Sequence, residues 1–419
     1  MKFKKIVSYF LLFVFFITNS FPIIALDSSV DGELERNVSE DSKEEKAPVD
    51  ILSAKACILT NYETGQVLYE KDADEHLKIA SITKIMTSLL VVEAIKDGKI
   101  SLNDMVVASK NAKPAQNESS IWLADGEKMS VRNLLKSVLV HSANDAARTL
   151  AEFIAGSEES FVEMMNKKAT ELGMKNTKFT NASGLDDDEN YCSARDVSIM
   201  ARELLKCNWI TNYTKIEKDK LRDGKTDLTN RNKLIITYKG CNGLKTGTDE
   251  IAKNCLCATA VRNKIPLCAV ALGCDTSDDR WKSCTNLLDY GFNSFQPIKA
   301  NKKEIEEEKV NVKTGKKEFV SCRLKDENKT YLVKKTEYGK IKKKIKLDDL
   351  VEAPVEEGRV IGKINYYIDE DGKNKNKKSQ KIIATQDIVA DEGVERLSFL
   401  YVNGQLWKNF LWGEKFFKS

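Results

Sequence analysis

The chain has few histidines, few prolines and little net charge, and each shortage excludes a class of protein. Its 419 residues include only two histidines, His76 and His141, which argues against a metal site built from several histidine ligands. Six prolines and 21 glycines are too few for a collagen-like or low-complexity chain. The 67 basic and 63 acidic residues leave a net charge of +4, so bulk charge gives no reason to expect a nucleic-acid partner. The remaining composition, 42% hydrophobic and 31% charged, is that of a globular protein.

Ten cysteines are present, an even number that would suit disulfides in an exported protein. Disulfide-dense scaffolds are usually much shorter than this chain, and Cys255-x-Cys257 lacks the usual spacing of zinc ligands. We therefore expect the cysteines to be buried small hydrophobic residues. Disulfide pairing is the alternative.

The N-terminal segment has the organisation of a secretory signal. Lysines near the start precede an apolar run over 6–25 that ends in Ala25, and this order of basic, apolar and small residues is typical of a signal peptide. We predict a signal peptide over 1–25, with an uncleaved membrane anchor as the alternative. Residues 26–50 are acidic and poor in large apolar side chains, which predicts a disordered linker.

Two blocks of different composition follow. Residues 51–296 mix helix-like and strand-like patterns, whereas 297–392 have short β-branched runs among many lysines and glutamates. The predicted elements of the first block include helices over 81–96, 130–155 and 157–172 and strands over 233–239, 252–261 and 267–272. We therefore predict an α/β (α+β) domain followed by a small all-β domain.

The last segment, 393–419, is rich in aromatic residues. Leu406, Trp407, Phe410 and Leu411 share one helical face, with lysines elsewhere, a pattern typical of an amphipathic helix in a membrane interface. We predict a membrane anchor that holds the exported protein at the outer face of the cytoplasmic membrane, in the cell wall. Packing of the tail on its own domain is the alternative.

The first motif with chemical content is Ser81-Ile82-Thr83-Lys84, at the predicted start of a helix. Lys84 lies one helical turn after Ser81, so the two side chains share a face. A serine hydroxyl needs an adjacent base to act as a nucleophile, and a lysine held neutral by burial or by a nearby cation can be that base. Taken alone, helix capping by Ser81 is the simpler explanation.

The second motif is Ser142-Ala143-Asn144, which follows an apolar stretch. Ser142 can relay a proton, and the Asn144 amide can hold the backbone of a peptide substrate. Taken alone, helix capping by Ser142 is again the simpler explanation.

The third motif is Lys245-Thr246-Gly247-Thr248, just before a pair of predicted strands. Gly247 permits a ligand to approach an edge strand closely, and the Lys245 cation can bind a carboxylate and lower the pKa of Lys84. Lys-Thr-Gly recurs at 313–315, but that copy lies in the β-rich region and is not expected to form the site.

In this order the three motifs resemble the set that marks penicillin-recognising serine enzymes. The flanking sequence, including Asn181-Ala-Ser-Gly-Leu and Gly243-Leu-Lys-Thr-Gly, resembles the serine-type D-alanyl-D-alanine carboxypeptidases, the low-molecular-mass penicillin-binding proteins of the type 5 group (peptidase family S11). The resemblance covers 54–295 closely and the later segments more loosely. It implies a β-lactamase/transpeptidase-like domain, no cofactor or metal, peptidoglycan pentapeptide as substrate and β-lactams as inhibitors.

The resemblance implies catalytic roles for three residues. Ser81 would attack the carbonyl between the two terminal D-alanines and form an acyl-enzyme. Lys84 would take its proton, and Ser142 would pass a proton to the departing D-alanine.

The resemblance also implies a set of substrate-binding residues. Asn144 would hold the substrate backbone, and the N–H groups of Ser81 and Thr248 would form the oxyanion hole. Lys245, Thr246 and Arg280 would receive the terminal carboxylate, for which a guanidinium has the right planar geometry. The alternative for Arg280 is a surface arginine paired with a neighbouring aspartate.

The sequence disfavours two other catalytic arrangements. A Ser–His pair of Ser142 and His141 is disfavoured because adjacent helical residues do not face each other. A β-lactamase would need a carboxylate to activate the deacylating water, and no Glu-x-x-Leu-Asn-like segment lies between Asn144 and Lys245. A D,D-endopeptidase acting on cross-links and a catalytically inactive wall-binding protein stay open.

Overall fold

The structure, a computed structural model, describes residues 54–398 except 186, 300, 328 and 371–378, together with residue 403. The predicted signal peptide and linker and most of the predicted anchor over 393–419 lie outside the described residues. No helix within the described ranges combines the length and the hydrophobicity that a membrane span requires.

The secondary structure of the described residues divides into a mixed region and a β-rich region. The helices are α1 (Lys84–Lys96), α2 (Val131–Lys136), α3 (Asn144–Ala155), α4 (Glu158–Glu171), α5 (Ala194–Leu205), α6 (Thr211–Thr214), α7 (Leu234–Thr237) and α8 (Ser277–Ser294). The strands of the mixed region are β1 (Ala56–Asn61), β2 (Val67–Lys71), β3 (Met105–Val107), β4 (Lys128–Ser130), β5 (Thr177–Lys178), β6 (Tyr191–Cys192), β7 (Lys218–Leu221), β8 (Thr226–Thr229), β9 (Cys241–Asp249), β10 (Lys253–Arg262) and β11 (Ile265–Cys274). The strands of the β-rich region are β12 (Phe295–Lys299), β13 (Lys309–Lys313), β14 (Phe319–Leu324), β15 (Thr330–Lys334), β16 (Lys342–Leu347), β17 (Leu350–Glu352), β18 (Val360–Glu370) and β19 (Ser379–Ala390).

The central sheet of the mixed region has five antiparallel strands in the order β2-β1-β11-β10-β9. Strand β11 is buried along its whole length and β10 along most of its length, because helices cover both faces of the sheet. Helices α1 and α5 contribute to the core on one face, and α8 packs on the other. Strand β9 is left at the edge of the sheet, next to the turn that precedes α1.

Helix α1 is apolar on nearly all sides, with Ile85, Met86, Leu89 and Val91 all buried. A helix that is hydrophobic all round belongs inside a core, and α1 contacts α3, α4 and α5. Lys84, in its first turn, is thereby carried into the interior with none of its surface exposed.

The predicted continuous helix over 130–155 is wrong. The chain forms α2, a π-helical turn over Ser137–His141 and then α3. Between them Ser142 has a left-handed backbone with φ 68°, which is rare for a residue other than glycine. The apolar spacing runs through both helices and therefore does not reveal the break.

The predicted strand over 233–239 is also wrong, because this segment contains the short helix α7. Asn232 Oδ1 accepts a hydrogen bond from the Leu234 N–H at 3.1 Å, and such a local bond starts a turn instead of a strand. Leu234, at the start of α7, and Tyr238, just after its end, both pack into the core beside α8.

The ten cysteines all lie within the described residues and are all free thiols, eight of them buried. This agrees with their interpretation as small hydrophobic residues and not with disulfide pairing. Cys257 and Cys268 come nearest to a pair, with sulfur atoms 3.6 Å apart in the core.

The β-rich region forms a six-stranded sheet in the order β16-β18-β19-β14-β13-β17 and a two-stranded sheet of β12 and β15. The second sheet joins this region to the mixed region. Gln66 exchanges two hydrogen bonds, 2.7 and 2.8 Å, with the backbone of Leu332, and Asn61 Nδ2 donates to the Thr330 carbonyl at 3.3 Å. Leu332 itself lies in the core beneath the central sheet. The predicted fold class, a mixed domain followed by an all-β domain, is confirmed.

Candidate active site

Ser81 and Lys84 are held together by the turn that opens α1. The 3-10 turn Ala80–Thr83 leads directly into the helix, and Lys84 Nζ lies 2.8 Å from Ser81 Oγ. No side chain caps either the turn or the helix. Capping by Ser81 is therefore wrong, and its hydroxyl is instead bonded to the lysine amine.

The surroundings of Lys84 favour its neutral form. Burial holds the pKa of Lys84 well below its usual value, and the charges of Lys245 and Arg148 lower it further, against the opposing effect of Glu118 and Asp145. A neutral amine keeps a lone pair, which is what a base needs in order to take a proton from a hydroxyl.

A loop that begins at Asn181 gives Lys84 its second partner. The Asn181 Oδ1 atom accepts hydrogen bonds from the successive backbone N–H groups of 183–185. The loop is folded so that the Ser183 carbonyl accepts a hydrogen bond from Lys84 Nζ at 2.5 Å. The sequence singled out this loop only through its resemblance to a family, and its physical role is to orient the amine.

Two glycines, Gly184 in the 181–185 loop and Gly247 in β9, let these two segments pack closely against the Ser81 turn. A Cβ atom on Gly184, where φ is 75°, would lie 2.0 Å from the carbonyl oxygen of Ala80. A Cβ atom on Gly247 in β9 would lie 2.3 Å from the carbonyl oxygen of Ile79. Any larger residue at either position would displace the turn that carries Ser81.

Ser142 and Lys245 form a second serine–lysine pair. Lys245 Nζ donates to Ser142 Oγ at 2.8 Å and to the Thr246 carbonyl at 2.9 Å. Burial lowers the pKa of Lys245 to about 7, helped by the charges of Arg231 and Arg280. Helix capping by Ser142 is wrong, because the residue before α3 is Ala143 and no side chain caps that helix.

Arg280 reaches from the first turn of α8 to the end of β9. Its Nη1 atom donates to Thr248 Oγ1 at 2.6 Å and to the Gly247 carbonyl at 3.1 Å. Thr276 and Asp279 form a capping box that fixes the start of this helix. Arg280 is only 8% exposed, so the alternative of a surface arginine is wrong.

Asn144 is the first residue of α3, and its Nδ2 atom donates to Glu118 Oε2 at 3.1 Å. Its Oδ1 atom is buried and has no hydrogen-bond partner within the part of the chain that the structure describes. Sequence reasoning missed Glu118, because no motif links it to a residue so far along the chain.

Five of the predicted site residues line one cleft of about 430 Å³, whereas Asn144 and Gly247 are not part of its wall. Its wall includes Ser81, Ser142, Thr246, Thr248 and Arg280, while the two lysines lie behind the serines that they bond. The part of the wall that sequence reasoning missed consists of Ser119, Thr229, Asn230, Arg231, Lys233, Ser277 and Trp281. These residues belong to no short motif, and only the fold brings them to the cleft.

A somewhat larger cavity, about 490 Å³, lies where the mixed and β-rich regions meet. Its wall includes Tyr62, Arg202, Asn242 and Lys329 and none of the predicted site residues. It contains no serine–lysine pair, so the chemistry belongs to the smaller cleft.

Two other candidates from the sequence are not part of the cleft. His141 Nδ1 accepts a hydrogen bond from the Thr229 N–H at 3.3 Å, so the imidazole is engaged by β8, in agreement with the expectation that it does not pair with Ser142. The second Lys-Thr-Gly copy ends at Gly315, which is bridged to Arg396 within the β-rich region.

Comparison with known families matches residues 41–276 to peptidase S11, described as D-alanyl-D-alanine carboxypeptidase. The chain belongs to this family. Residues 292–396 match the C-terminal domain of penicillin-binding protein 5. The predicted family and the serine carboxypeptidase activity are confirmed.

Similar proteins cover most of the carboxypeptidase chain. D-alanyl-D-alanine carboxypeptidase DacF of Bacillus subtilis is 39% identical over 350 residues, which are 83% of this chain and 87% of DacF. Penicillin-binding protein 5 from Haemophilus influenzae has a solved structure with a TM-score of 0.72 and 31% identity, covering 82% of this chain and 98% of that one. Penicillin-binding protein D2 from Listeria monocytogenes, solved in an ampicillin-bound form, has a TM-score of 0.53 and 31% identity, with 57% and 98% coverage.

Proposed function

We propose that the carboxypeptidase removes the terminal D-alanine of peptidoglycan stem pentapeptides through an acyl-enzyme on Ser81. The observation that carries this proposal is the 2.8 Å contact between Ser81 Oγ and the buried amine of Lys84. A nucleophile within hydrogen-bond reach of a neutral base is the arrangement that nucleophilic catalysis requires.

In the first step, Ser81 Oγ bonds to the carbonyl carbon between the two D-alanines, and its proton passes to Lys84. The N–H groups of Ser81 and Thr248 stabilise the oxyanion that forms. The C–N bond then breaks, Ser142 passes the proton held by Lys84 to the leaving amine, and D-alanine departs with Lys84 neutral again. In the second step, water attacks the ester and loses a proton to Lys84. The C–O bond to Ser81 then breaks, Lys84 returns that proton to Ser81 Oγ, and the shortened peptide leaves as a carboxylic acid.

The terminal carboxylate of the peptide is proposed to bind at the end of β9. Thr246 and Arg280 present a hydroxyl and a guanidinium to this end of the cleft, and the Lys245 amine lies behind Ser142, to which it donates. A carboxylate near Lys245 would raise the pKa of its amine from about 7, so binding would favour the charged form that pairs with the substrate.

β-Lactams are proposed to acylate the same serine and to leave slowly. The related penicillin-binding protein D2, solved with ampicillin bound, supports this proposal. Slow release is expected because no Glu-x-x-Leu-Asn-like segment, which would supply the carboxylate base of a β-lactamase, lies between Asn144 and Lys245.

The test is release of free D-alanine from diacetyl-Lys-D-Ala-D-Ala. We expect the wild type to release it and Ser81→Ala to release none. Ser88→Ala is the matched control, because Ser88 is a buried serine of α1, the helix that follows the Ser81 turn, and its hydroxyl has no partner in the described structure. If the wild type is labelled by penicillin but cuts only a cross-linked dimer, the protein is an endopeptidase. If it neither cleaves nor is labelled, the enzymatic proposal fails.

The protein is further proposed to be exported by residues 1–25 and held at the membrane surface by its C-terminal segment. The signal-like and amphipathic patterns of the sequence support this proposal. Deletion of 395–419 is expected to move the processed protein from the membrane pellet to the soluble fraction. Retention of the shortened protein in the pellet would place the anchor elsewhere.

A further inference from the structure

The carboxamide of Asn144 is held on one side only. Its Nδ2 atom donates to Glu118 Oε2 at 3.1 Å, while its Oδ1 atom has no partner among the residues described. Asn144 is 5% exposed, so bulk water has little access to that oxygen. Buried acceptors are normally satisfied, and an unsatisfied one two residues from Ser142, which lines the cleft, is suited to a donor that arrives with the substrate.

Glu118 decides which way the Asn144 carboxamide is turned. An ionised carboxylate can only accept hydrogen bonds, so the amide nitrogen must face Glu118 and the amide oxygen must point away from it. The carboxylate is itself fixed by an ion pair with Arg148, and the two side chains are 11% and 9% exposed. Arg148 in turn donates to the backbone carbonyls of Ala112 and Lys113 at 3.3 and 3.1 Å.

We propose that Glu118 is a positioning residue for the carboxypeptidase reaction, which locks Asn144 so that Oδ1 is offered as an acceptor to an N–H group of the bound peptide. This inference rests on the proposed function of the cleft. Glu118 forms no hydrogen bond to Ser81 or Lys84 and is not part of the cleft wall. Its influence on the reaction therefore passes through Asn144 and through its charge.

The charge of Glu118 also affects the pH dependence of the reaction, through the pKa of Lys84. The charged groups around Lys84 are Lys245 and Arg148, which lower its pKa, and Glu118 and Asp145, which raise it. Removing the Glu118 charge lowers the pKa of Lys84, so this base stays neutral at lower pH. The acid limb of the kcat/KM profile is then expected to move to lower pH.

The first test is Glu118→Gln, assayed on diacetyl-Lys-D-Ala-D-Ala. A glutamine keeps the length of the side chain but can present either an oxygen or an NH2 group, which leaves Asn144 free to turn over. We expect kcat/KM to fall by about tenfold, the size of effect that follows from a misplaced binding group. Glu127→Gln is the matched control, because Glu127 forms a comparable ion pair with Arg222 and has no contact with Asn144.

The second test repeats the substitution in an Asn144→Ala background. If Glu118 acts through Asn144, the tenfold loss disappears in that background. If Glu118→Gln leaves Arg148 buried without an ion-pair partner and misfolds, the double variant Glu118→Gln/Arg148→Gln removes both charges. It carries the same expectation for kcat/KM in the two backgrounds but not for the acid limb, because loss of the Arg148 charge raises the pKa of Lys84.

The outcomes separate this inference from the proposed function. Loss of the effect in the Asn144→Ala background, together with a shifted acid limb, supports the positioning role. An equal loss in both backgrounds with an unshifted profile would show a structural role and overturn the inference. If the wild type is active and Glu118→Gln has the same kcat/KM and the same pH profile, only the inference is overturned. If the wild type shows neither activity nor penicillin labelling, the proposed function is overturned.

Discussion

At the scale of single residues, the cleft depends on two lysines that are buried among serines and carbonyls. Lys84 bonds to Ser81 and Ser183, and Lys245 bonds to Ser142. Hydroxyls and carbonyls do not neutralise an ammonium, so burial penalises the charged form of each lysine. The same penalty that makes Lys84 a competent base therefore costs the folded protein stability.

This cost predicts how stability depends on pH. The pKa of Lys245 is about 7 in the folded protein against an ordinary value of 10.5, so between those pH values the unfolded chain binds a proton that the folded chain does not. Stability therefore rises with pH across this window, and the penalty is complete below it. We expect Lys245→Met to raise the Tm by about 5 °C at pH 6 and by progressively less towards pH 10.

Thermal unfolding of the wild type and of Lys245→Met at pH 6, 8 and 10 checks this prediction. Lys233→Met, a substitution of an exposed lysine at the same cleft, should show no pH-dependent difference from the wild type. A Tm difference for Lys245→Met that stays constant with pH would contradict the account.

At the scale of elements, the Ser81 turn is positioned by two neighbours that leave room for nothing larger than glycine. Strand β9 approaches it through Gly247, and the 181–185 loop approaches it through Gly184. The turn is therefore wedged between an edge strand and a loop, and the geometry of the nucleophile depends on both contacts.

A pair of glycine substitutions isolates the loop contact. Gly184→Ala would place a Cβ atom 2.0 Å from the Ala80 carbonyl, whereas Gly98→Ala, at a similar φ of 70°, meets nothing within 4 Å. Both carry the cost of a left-handed alanine, about 1–2 kcal/mol, but only the first displaces Ser81. We expect the rate of acylation by penicillin to fall by about 100-fold in Gly184→Ala and to stay near wild type in Gly98→Ala. Equal acylation rates in the two variants would contradict the claim that the contact at Gly184 positions Ser81.

The same elements show what the sequence could and could not predict. Strands β10 and β11 were predicted because their burial makes them nearly continuous apolar runs, and α1 because its apolar spacing is unbroken. The turn at Ser142 was missed because a left-handed backbone at a serine has no signal in the local sequence, and the bond from Lys245 to its hydroxyl forms only in the folded chain. Ser183 and Glu118 were missed for a related reason, since each contributes a single oxygen atom that only the folded chain brings to its partner.

At the scale of the whole molecule, the mixed and β-rich regions share part of one core. Leu332 of β15 packs beneath the central sheet with Leu59 and Phe295, while Leu324 of β14 packs only within the β-rich region. Both leucines are 1% exposed, so they are matched in burial and differ only in the core that each one fills.

Substitution of each leucine tests whether the shared core supports the active site. Leu332→Ala and Leu324→Ala should each cost about 2–5 kcal/mol of stability. We expect only Leu332→Ala to lower the temperature at which penicillin labelling is lost, because only that cavity opens under the central sheet. Loss of labelling at the same temperature in both variants would contradict this division of the core.

The central claim is that Ser81 carries the acyl group, and mass spectrometry of the penicillin-treated protein tests it most directly. The account predicts one adduct with the mass of the opened penicillin, located on Ser81, absent from Ser81→Ala and present in Ser88→Ala. An adduct on another residue, or one that persists in Ser81→Ala, would contradict it.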